Sequence, residues 1–483
     1  MEGLDELLDL LTRVKKDGWE DALSDTLYDN NSEQETRHPT YSGPLSAFLR
    51  AIEGARVCMK ALNEAQRRLG KRLRRLRRLS KPLVLEDGIK RLPDDVLAII
   101  FEMGRHFNED DPYQFAVCVS HVSHRFRSVA LATPSLWTTI SDSYGENQTR
   151  EFISRSGRLD LDIKMPHNSS IESFLEALKD TSYRWSSLEI IEQETEDVMM
   201  QLGMTDLPQL RYLTYACPVE LSAFSIPRLS QVEGWWWVLP AESCLLSNIT
   251  HVDFRLSGEG KCIEDLTKTL HSMKNLQDLS LILAVIIGAN ILPLDNTAFP
   301  KPHSVHIDRL AVTILGEKQD HSALLFDALM HLTPSTLELS IYSIEPVGFF
   351  FNSEHEMFPF ASVIKLHVPH AIDVMMTLVN LMRHCDIVKT VHFDTPMANG
   401  LSAWSHGLRN NDDWERIRSL DHLRFTNCDE FTASDVEALT TILLPNEAEN
   451  GLQSLEIISC KWISEDFLLA LHDEVGDRLK WTL

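Results

Sequence analysis

The sequence predicts an α/β chain made of a coiled-coil-like helix, a small all-α domain and an irregular solenoid of strand–helix repeats. Three observations support this order: heptad-spaced apolar residues over 45–81, an apolar helical pattern punctuated by proline over 90–140, and recurring short apolar stretches over 145–483. Residues 1–44 come first, and their acidic, weakly periodic sequence predicts a short helix followed by partial disorder.

Composition limits the classes of partner. The chain has 483 residues and a formal net charge of -25, so we expect no general nucleic-acid or anionic-membrane surface, which would need clustered Lys and Arg. The first residues lack the basic and apolar regions of a signal peptide, and the longest apolar run, Leu281–Leu292, is too short to span a bilayer. These features predict a soluble protein of the cytoplasm, the nucleus or both.

The cysteines and short motifs predict no cofactor, no metal site and no catalytic site. The eight cysteines are dispersed without a C-x-x-C pair. His121 and His124 have a spacing that could serve a metal, but no recognisable further ligands accompany them. The sequence also lacks G-x-S-x-G, H-E-x-x-H and Walker-type motifs. An enzyme with an unrecognised pocket stays an alternative, and it would require convergent titratable groups.

The first patterned segment is the coiled-coil-like helix. Apolar residues fill its heptad a and d positions, with Gln66 as the polar exception. The apolar members are Leu45, Phe48, Ile52, Ala55, Met59, Leu62, Leu69, Leu73 and Leu76. Pro82 and Gly88 are predicted to stop the helix. Its last part, Arg67–Lys81, holds nine Lys or Arg residues and no acid, which fits a solvated packing face, a nuclear-import signal or a contact with an acidic partner.

A small helical domain follows. The run Leu-Pro-Asp-Asp over 92–95 predicts a helix start, because proline loses no needed donor there and carboxylates suit the positive end of a helix. Apolar residues over Val96–Phe101 form one broad face, and Leu136 with Trp137 closes the unit as an apolar plug. About fifty residues cannot bury a large core, so we expect this domain to gain burial from a partner.

The order and spacing of the residues in this domain resemble those of a known family. The matching runs are Leu92-Pro93, Val96-Leu97, Ile100-Phe101, Val122–Ala130 and Pro134–Trp137. Together they resemble an F-box, most similar to those of mushroom-forming (Agaricomycete) fungi. The family implies docking to the Skp-family adaptor and, through it, to the cullin and RING subunits of an SCF-type ubiquitin ligase.

The resemblance also implies roles for individual residues. The adaptor-binding surface would comprise Leu92, Pro93, Val96, Leu97, Ile100, Phe101 and Val122. The core that holds the helices together would comprise Phe126, Leu136 and Trp137. Phe126 stands where many members of the family have Trp.

The rest of the chain contains a repeat. Residues 420–428 and 452–460 both fit the leucine-rich-repeat pattern L-x-x-L-x-L-x-x-[NC]. Weaker copies lie around Leu213, Val252, Leu279, Leu310, Leu339, Leu366 and Val391, and the first strand is placed at Leu188–Ile190. Each copy predicts a short strand with alternate apolar residues buried, and helical periodicity lies between copies. Stacked copies predict an irregular leucine-rich-repeat solenoid.

Candidate substrate-binding residues lie on the outward side of the predicted strands. Arg424 and Glu456 face outward in the two good copies. Trp235, Trp236 and Trp237 form the most conspicuous aromatic cluster. Because a strand buries only alternate residues, at least one of the three is predicted to be exposed, and the cluster is either core packing or a partner-binding hot spot.

These observations, together with the F-box resemblance, predict a non-catalytic subunit of a ubiquitin ligase complex. Such a subunit binds a protein substrate through its repeats and holds it near the ubiquitin-conjugating enzyme, which raises the effective concentration of the reacting groups. The alternative is a non-catalytic interaction scaffold that acts outside a ubiquitin ligase.

Overall fold

A computed structural model describes residues 4–23, 42–107, 112–166, 171–256, 261–284, 304–315, 325, 328–342, 361–397, 411–444 and 451–482. The chain divides into two compact units, Met1–Ile99 and Ile100–Leu483. The boundary falls within helix α3 (Asp94–Phe107). Part of the segment predicted to be disordered, residues 24–41, lies outside the described residues.

The first unit contains two long helices, α1 (Leu4–Leu23) and α2 (Ser42–Arg91), which contact each other. Helix α2 continues through Pro82 and Gly88, so the predicted stop at these residues was wrong. A proline removes one backbone hydrogen bond from a helix, but the turns on either side can keep theirs. The apolar heptad side chains that are exposed are Ile52, Met59, Leu62, Leu69, Leu73 and Leu76.

The second unit begins with the remainder of α3, and short helices follow it. They are α4 (Pro112–Ser120), α5 (His124–Leu131) and a 3-10 turn over Pro134–Trp137. Trp137 is fully buried at their centre, and its indole Nε1 donates a hydrogen bond of 2.8 Å to the carbonyl of Ala130. The Phe152 ring meets it edge-on at 4.9 Å, and the Arg155 guanidinium lies 4.5 Å from its ring centre. Trp137 therefore joins the short helices to the helix that follows them.

From Thr139 onward the described residues form a single 14-stranded sheet. Every strand pairs in parallel with the strands before and after it in the sequence. The strands are β1 (Thr139–Ser141), β2 (Leu161–Lys164), β3 (Trp185–Ile190), β4 (Tyr212–Tyr215), β5 (Gln231–Trp235), β6 (His251–Leu256), β7 (Asp278–Ala284), β8 (Val305–Leu315), β9 (Leu332–Ile341), β10 (Val363–His367), β11 (Thr390–Asp394), β12 (His422–Thr426), β13 (Ser454–Ile458) and β14 (Leu479–Thr482).

Helices lie between many of these strands. They are α6 (Glu146–Arg155), α7 (Ile171–Leu178), α8 (Glu194–Gln201), α9 (Lys261–Ser272), α10 (Val374–His384), α11 (Asn411–Arg418), α12 (Ala433–Leu443) and α13 (Glu465–Val475). In α12 the sequence supplies a reciprocal cap, because the Thr432 hydroxyl accepts from the backbone of Asp435 and the Asp435 carboxylate accepts from the backbone of Thr432.

The predicted fold class was wrong. Instead of an all-α domain followed by an irregular leucine-rich-repeat solenoid, the chain forms one continuous all-parallel sheet with helices, an α/β fold. The sheet begins with β1, which overlaps the last two residues of the segment assigned to the all-α domain, and β2 precedes the first predicted strand. These strands are only 3 and 4 residues long, so a pattern that depends on spaced leucines did not detect them.

One continuous row of buried apolar side chains runs across the sheet. Its members are cross-strand neighbours from β3 to β14: Leu188, Leu213, Val232, Val252, Leu279, Leu310, Leu337, Ile364, Val391, Leu423, Leu455 and Leu479. A second buried row includes Phe393 and Phe425, whose rings stack at 5.7 Å with an interplanar angle of 9°. Because all strands are parallel, their carboxyl ends share one edge, and the loops that leave the strands start there.

Within the described residues, no helix has the length and apolar character needed to cross a membrane.

Candidate protein-binding surfaces

One side of α3 carries exposed apolar side chains. Val96, Ile99, Ile100 and Met103 are 36, 54, 46 and 54% exposed. Their spacing of three, one and three residues places them on one side of a helix. We call these four residues the docking face. The family resemblance predicted Val96 and Ile100, but not Ile99 or Met103, as adaptor-binding residues.

Other apolar residues of α3 are buried. Leu97 and Phe101 are 2 and 3% exposed. The ring of Phe101 lies 5.0 Å from that of Phe126. One turn after Phe101, Gly104 meets Phe115 so closely that an added Cβ would lie 2.5 Å from that ring. A side chain at position 104 would therefore require the Phe115 ring to move.

Polar contacts fix the carboxyl-terminal half of α3. The Arg105 guanidinium donates to the carbonyl of Ser135, to the hydroxyl of Thr139 at 2.6 Å and to the carboxylate of Asp162 at 3.1 Å. The Ser135 hydroxyl donates to Glu102 at 2.5 Å. These hydrogen bonds join α3 to the start of the sheet and hold the helix in a fixed direction there.

The residues assigned by family resemblance fall into different environments. Among the predicted adaptor-binding residues, Pro93, Val96, Ile100 and Val122 are exposed, Leu92 is half-buried, and Leu97 and Phe101 are buried. Among the predicted core residues, Leu136 and Trp137 are buried and Phe126 is half-buried. Val122 is 64% exposed in the turn between α4 and α5.

A second apolar surface lies at the carboxyl end of β5. Trp235, Trp236 and Trp237 are 37, 51 and 47% exposed, and we call them the aromatic loop. The strand ends at Trp235 and the chain turns at Trp236, which has a positive φ of 69°. This turn breaks the alternation of a strand, so all three side chains reach solvent. The Trp236 N–H donates a hydrogen bond of 2.7 Å to the carbonyl of Arg255, which fixes the turn.

Gly234 permits this turn. A Cβ at this position would lie 2.7 Å from the carbonyl oxygen of Trp237, 2.7 Å from the hydroxyl of Tyr215 and 2.9 Å from the ring of Phe254. The backbone of the aromatic loop therefore folds back over the strand that precedes it. Only glycine leaves room for that approach.

Polar groups position the first tryptophan. The Trp235 indole donates a hydrogen bond of 2.7 Å to the Glu233 carboxylate, and the Arg255 guanidinium lies 5.0 Å from the Trp235 ring centre. Arg255 also pairs with Glu233 at 3.1 Å. The Tyr212 hydroxyl donates to Glu233 as well, and burial together with that bond raises the pKa of Tyr212 to about 12. Burial, and secondarily Glu233, raises the pKa of Asp253 above its usual range.

Arg424 and Glu456 form a different site. The Arg424 Nε and Nη2 atoms each lie 2.6 Å from a Glu456 oxygen, on neighbouring strands β12 and β13. Their strands are separated from β5 by the six strands β6–β11. From β5 to β12 there are seven strand spacings, so at about 4.8 Å each this separation is roughly 34 Å. The structure therefore does not bring Arg424 and Glu456 together with the aromatic loop.

The described residues contain no group of three or more His, Cys, Asp or Glu side chains placed to hold a metal ion. Comparison of the sequence with known proteins gives no match, either to a protein-family model or to a curated protein.

Proposed function

We propose that this protein is a non-catalytic substrate-recognition adaptor of an SCF-type cullin-RING ubiquitin ligase. Residues 92–137 resemble an F-box, and through them the chain docks to a Skp-family adaptor, which brings the cullin and RING subunits. The observation that carries this proposal is the docking face. A soluble chain gains little from four large apolar side chains on one side of a helix unless a partner covers them.

The docking face has enough apolar surface for a stable contact. Fully burying a large apolar side chain contributes about 1.5–3 kcal/mol. The four side chains are about half exposed, so covering them contributes roughly 4 kcal/mol before the entropy of association. Leu97 and Phe101 support this surface from the buried side of α3 and need not touch the partner.

The second part of the proposal concerns a protein substrate. The aromatic loop and the outward strand residues Arg424 and Glu456 are candidates for its contact. A substrate bound there is held near the ubiquitin-conjugating enzyme, and the gain is in effective concentration, with the chemistry belonging to other subunits. We place this activity in the cytoplasm or nucleus, in keeping with cysteines that are free wherever the structure describes them.

Co-expression with a fungal Skp-family adaptor tests the docking step. The wild-type chain should copurify with the adaptor in a one-to-one complex. The double variant Val96→Asp, Ile100→Asp should stay folded but lose the complex, because two carboxylates would have to be desolvated at the contact. Ile387→Asp is a matched control, since Ile387 is 58% exposed and lies outside α3.

Retention of the adaptor by the double variant contradicts the proposal. A wild-type complex that excludes the cullin and yields no ubiquitinated product favours the interaction scaffold instead.

A further inference from the structure

The surface around the aromatic loop combines exposed aromatic groups with negative charge. Loops and the helix that follow β3, β4 and β5 contain six carboxylates: four over 191–201, one over 216–224 and one over 236–243. The same three segments contain no Lys or Arg. All of them start at the carboxyl edge of the sheet, where the aromatic loop lies.

A cavity of about 600 Å³ lies between these segments. Its charged lining residues are Glu196, Asp197, Glu220 and Glu242. The loop that carries the tryptophans continues into the cavity wall, because Pro240, only three residues beyond Trp237, also lines it. The aromatic loop therefore continues directly into one wall of the cavity.

The acidic wall of the cavity is held in place by backbone contacts. The Glu196 carboxylate accepts hydrogen bonds from the backbone N–H of Glu220 at 3.2 Å and of Leu221 at 3.3 Å. Leu221 has a positive φ of 50°, a conformation that costs free energy for a leucine. Burial raises the pKa of Glu196 despite both donors, and Glu220 and Asp197 add to this rise. Negative charge is thus concentrated here without a fixed counter-charge from these segments.

We propose that the aromatic loop and this cavity bind a polypeptide segment that carries arginine or lysine beside apolar residues. Exposed tryptophans are the side chains most suited to anchoring a protein contact, and their faces attract guanidinium and ammonium groups. The contact of Arg255 with Trp235 shows this chemistry within the chain itself. The carboxylates complement a cationic side chain and repel phosphate, which favours a basic polypeptide over nucleic acid or an anionic lipid surface.

The idea that such a polypeptide is a ligase substrate rests on the proposed function, but binding of the polypeptide does not. A fluorescein-labelled peptide of alternating leucine and arginine is titrated with the full chain, and fluorescence anisotropy is recorded without any adaptor present. A peptide with glutamine in place of every arginine is the matched probe. The arginine peptide should bind and the glutamine peptide should bind at least about tenfold more weakly.

Variants locate the contact. Trp236→Ala, Trp237→Ala should weaken binding of the arginine peptide by about tenfold or more, whereas Trp462→Ala, at a 73% exposed tryptophan in the turn after β13, should not. Asp197→Asn, Glu242→Gln should weaken binding about fivefold, and the control pair Asp473→Asn, Glu474→Gln should leave it unchanged. All of these side chains are exposed, so the fold should be retained.

Two outcomes overturn the inference. The first is equal affinity of the Trp236→Ala, Trp237→Ala variant and of the Trp462→Ala variant for the arginine peptide. The second is equal weakening by the two pairs of acid variants, which would mean that the net charge alone attracts the peptide. Loss of adaptor docking with intact peptide binding counts against the ligase assignment only. Intact docking without peptide binding counts against this site only.

Discussion

Exposure along α3 distinguishes residues that the proposed adaptor would contact from residues that pack against the rest of the chain, and binding and stability measurements can test this distinction. Ile100→Ala removes roughly three apolar carbons, each contributing about 0.8 kcal/mol when buried. Ile100 is 46% exposed, so a partner can bury about half of this group. The expected loss of binding free energy is about 1 kcal/mol, or roughly a sixfold rise in the Kd for the Skp-family adaptor.

Leu97→Ala should lower folding stability and leave the affinity for the adaptor unchanged. Leu97 is 2% exposed, so a partner has almost nothing left to bury there. The substitution leaves a cavity that costs about 2–5 kcal/mol of folding stability, while the folded fraction keeps its affinity. Ile387→Ala, at a comparably exposed isoleucine outside the docking face, should change neither quantity.

Titration calorimetry gives the Kd, and thermal denaturation gives the stability, of the three variants and the wild type. Equal weakening of the folded protein's affinity by Leu97→Ala and Ile100→Ala would contradict the division of α3 into an exposed and a buried side. An unchanged Kd for Ile100→Ala, with a wild type that binds the adaptor, would contradict it as well.

Three further predictions concern the second unit. Gly234→Ala should lower the midpoint of thermal unfolding, with a cost of about 1–3 kcal/mol, because the added Cβ meets backbone and ring atoms; an unchanged midpoint in differential scanning fluorimetry would contradict the geometry. Burial, and secondarily His271, lowers the pKa of His331 to about 4. The folded state is therefore most stable, as far as His331 is concerned, above about pH 6.5, and it loses up to about 3 kcal/mol as the pH falls from there toward 4. His331→Leu should make the denaturation midpoint less dependent on pH across that range. Arg383→Ala should destabilise by about 1–2 kcal/mol because it leaves the 5% exposed Asp413 carboxylate without its cation, whereas Lys461→Ala, at a 73% exposed cation, should cost less than about 0.5 kcal/mol in parallel chemical denaturation.

The sequence predicted many strands of the sheet because their apolar side chains alternate. Leu423 with Phe425 and Leu455 with Ile457 lie in β12 and β13, where the pattern placed them. The start of the sheet was missed because β1 has a single strongly apolar side chain, Ile140, in a run of three residues. Tertiary contacts of Trp137 and Arg105 join distant segments at the start of the sheet, and a local sequence pattern does not contain them.

The candidate sites were predicted less completely than the strands. Helical spacing identified an apolar helix after Pro93, but it cannot tell which apolar residues a neighbouring element covers. Gly104, next to Phe115, decides part of that packing and has no distinctive sequence signal. Likewise, alternation predicted at least one exposed tryptophan in the cluster, whereas the turn at Trp236 exposes all three.

The strand order of the sheet has a consequence for synthesis. Every strand from β2 to β14 pairs with the strand made just before it, so its partner has already left the ribosome when it emerges. Pairing of this kind needs no wait for distant sequence and keeps loop-closure costs low. The nascent sheet can therefore extend strand by strand during translation, with β1 as the first template among the described strands and each new strand pairing at the edge that the preceding one leaves.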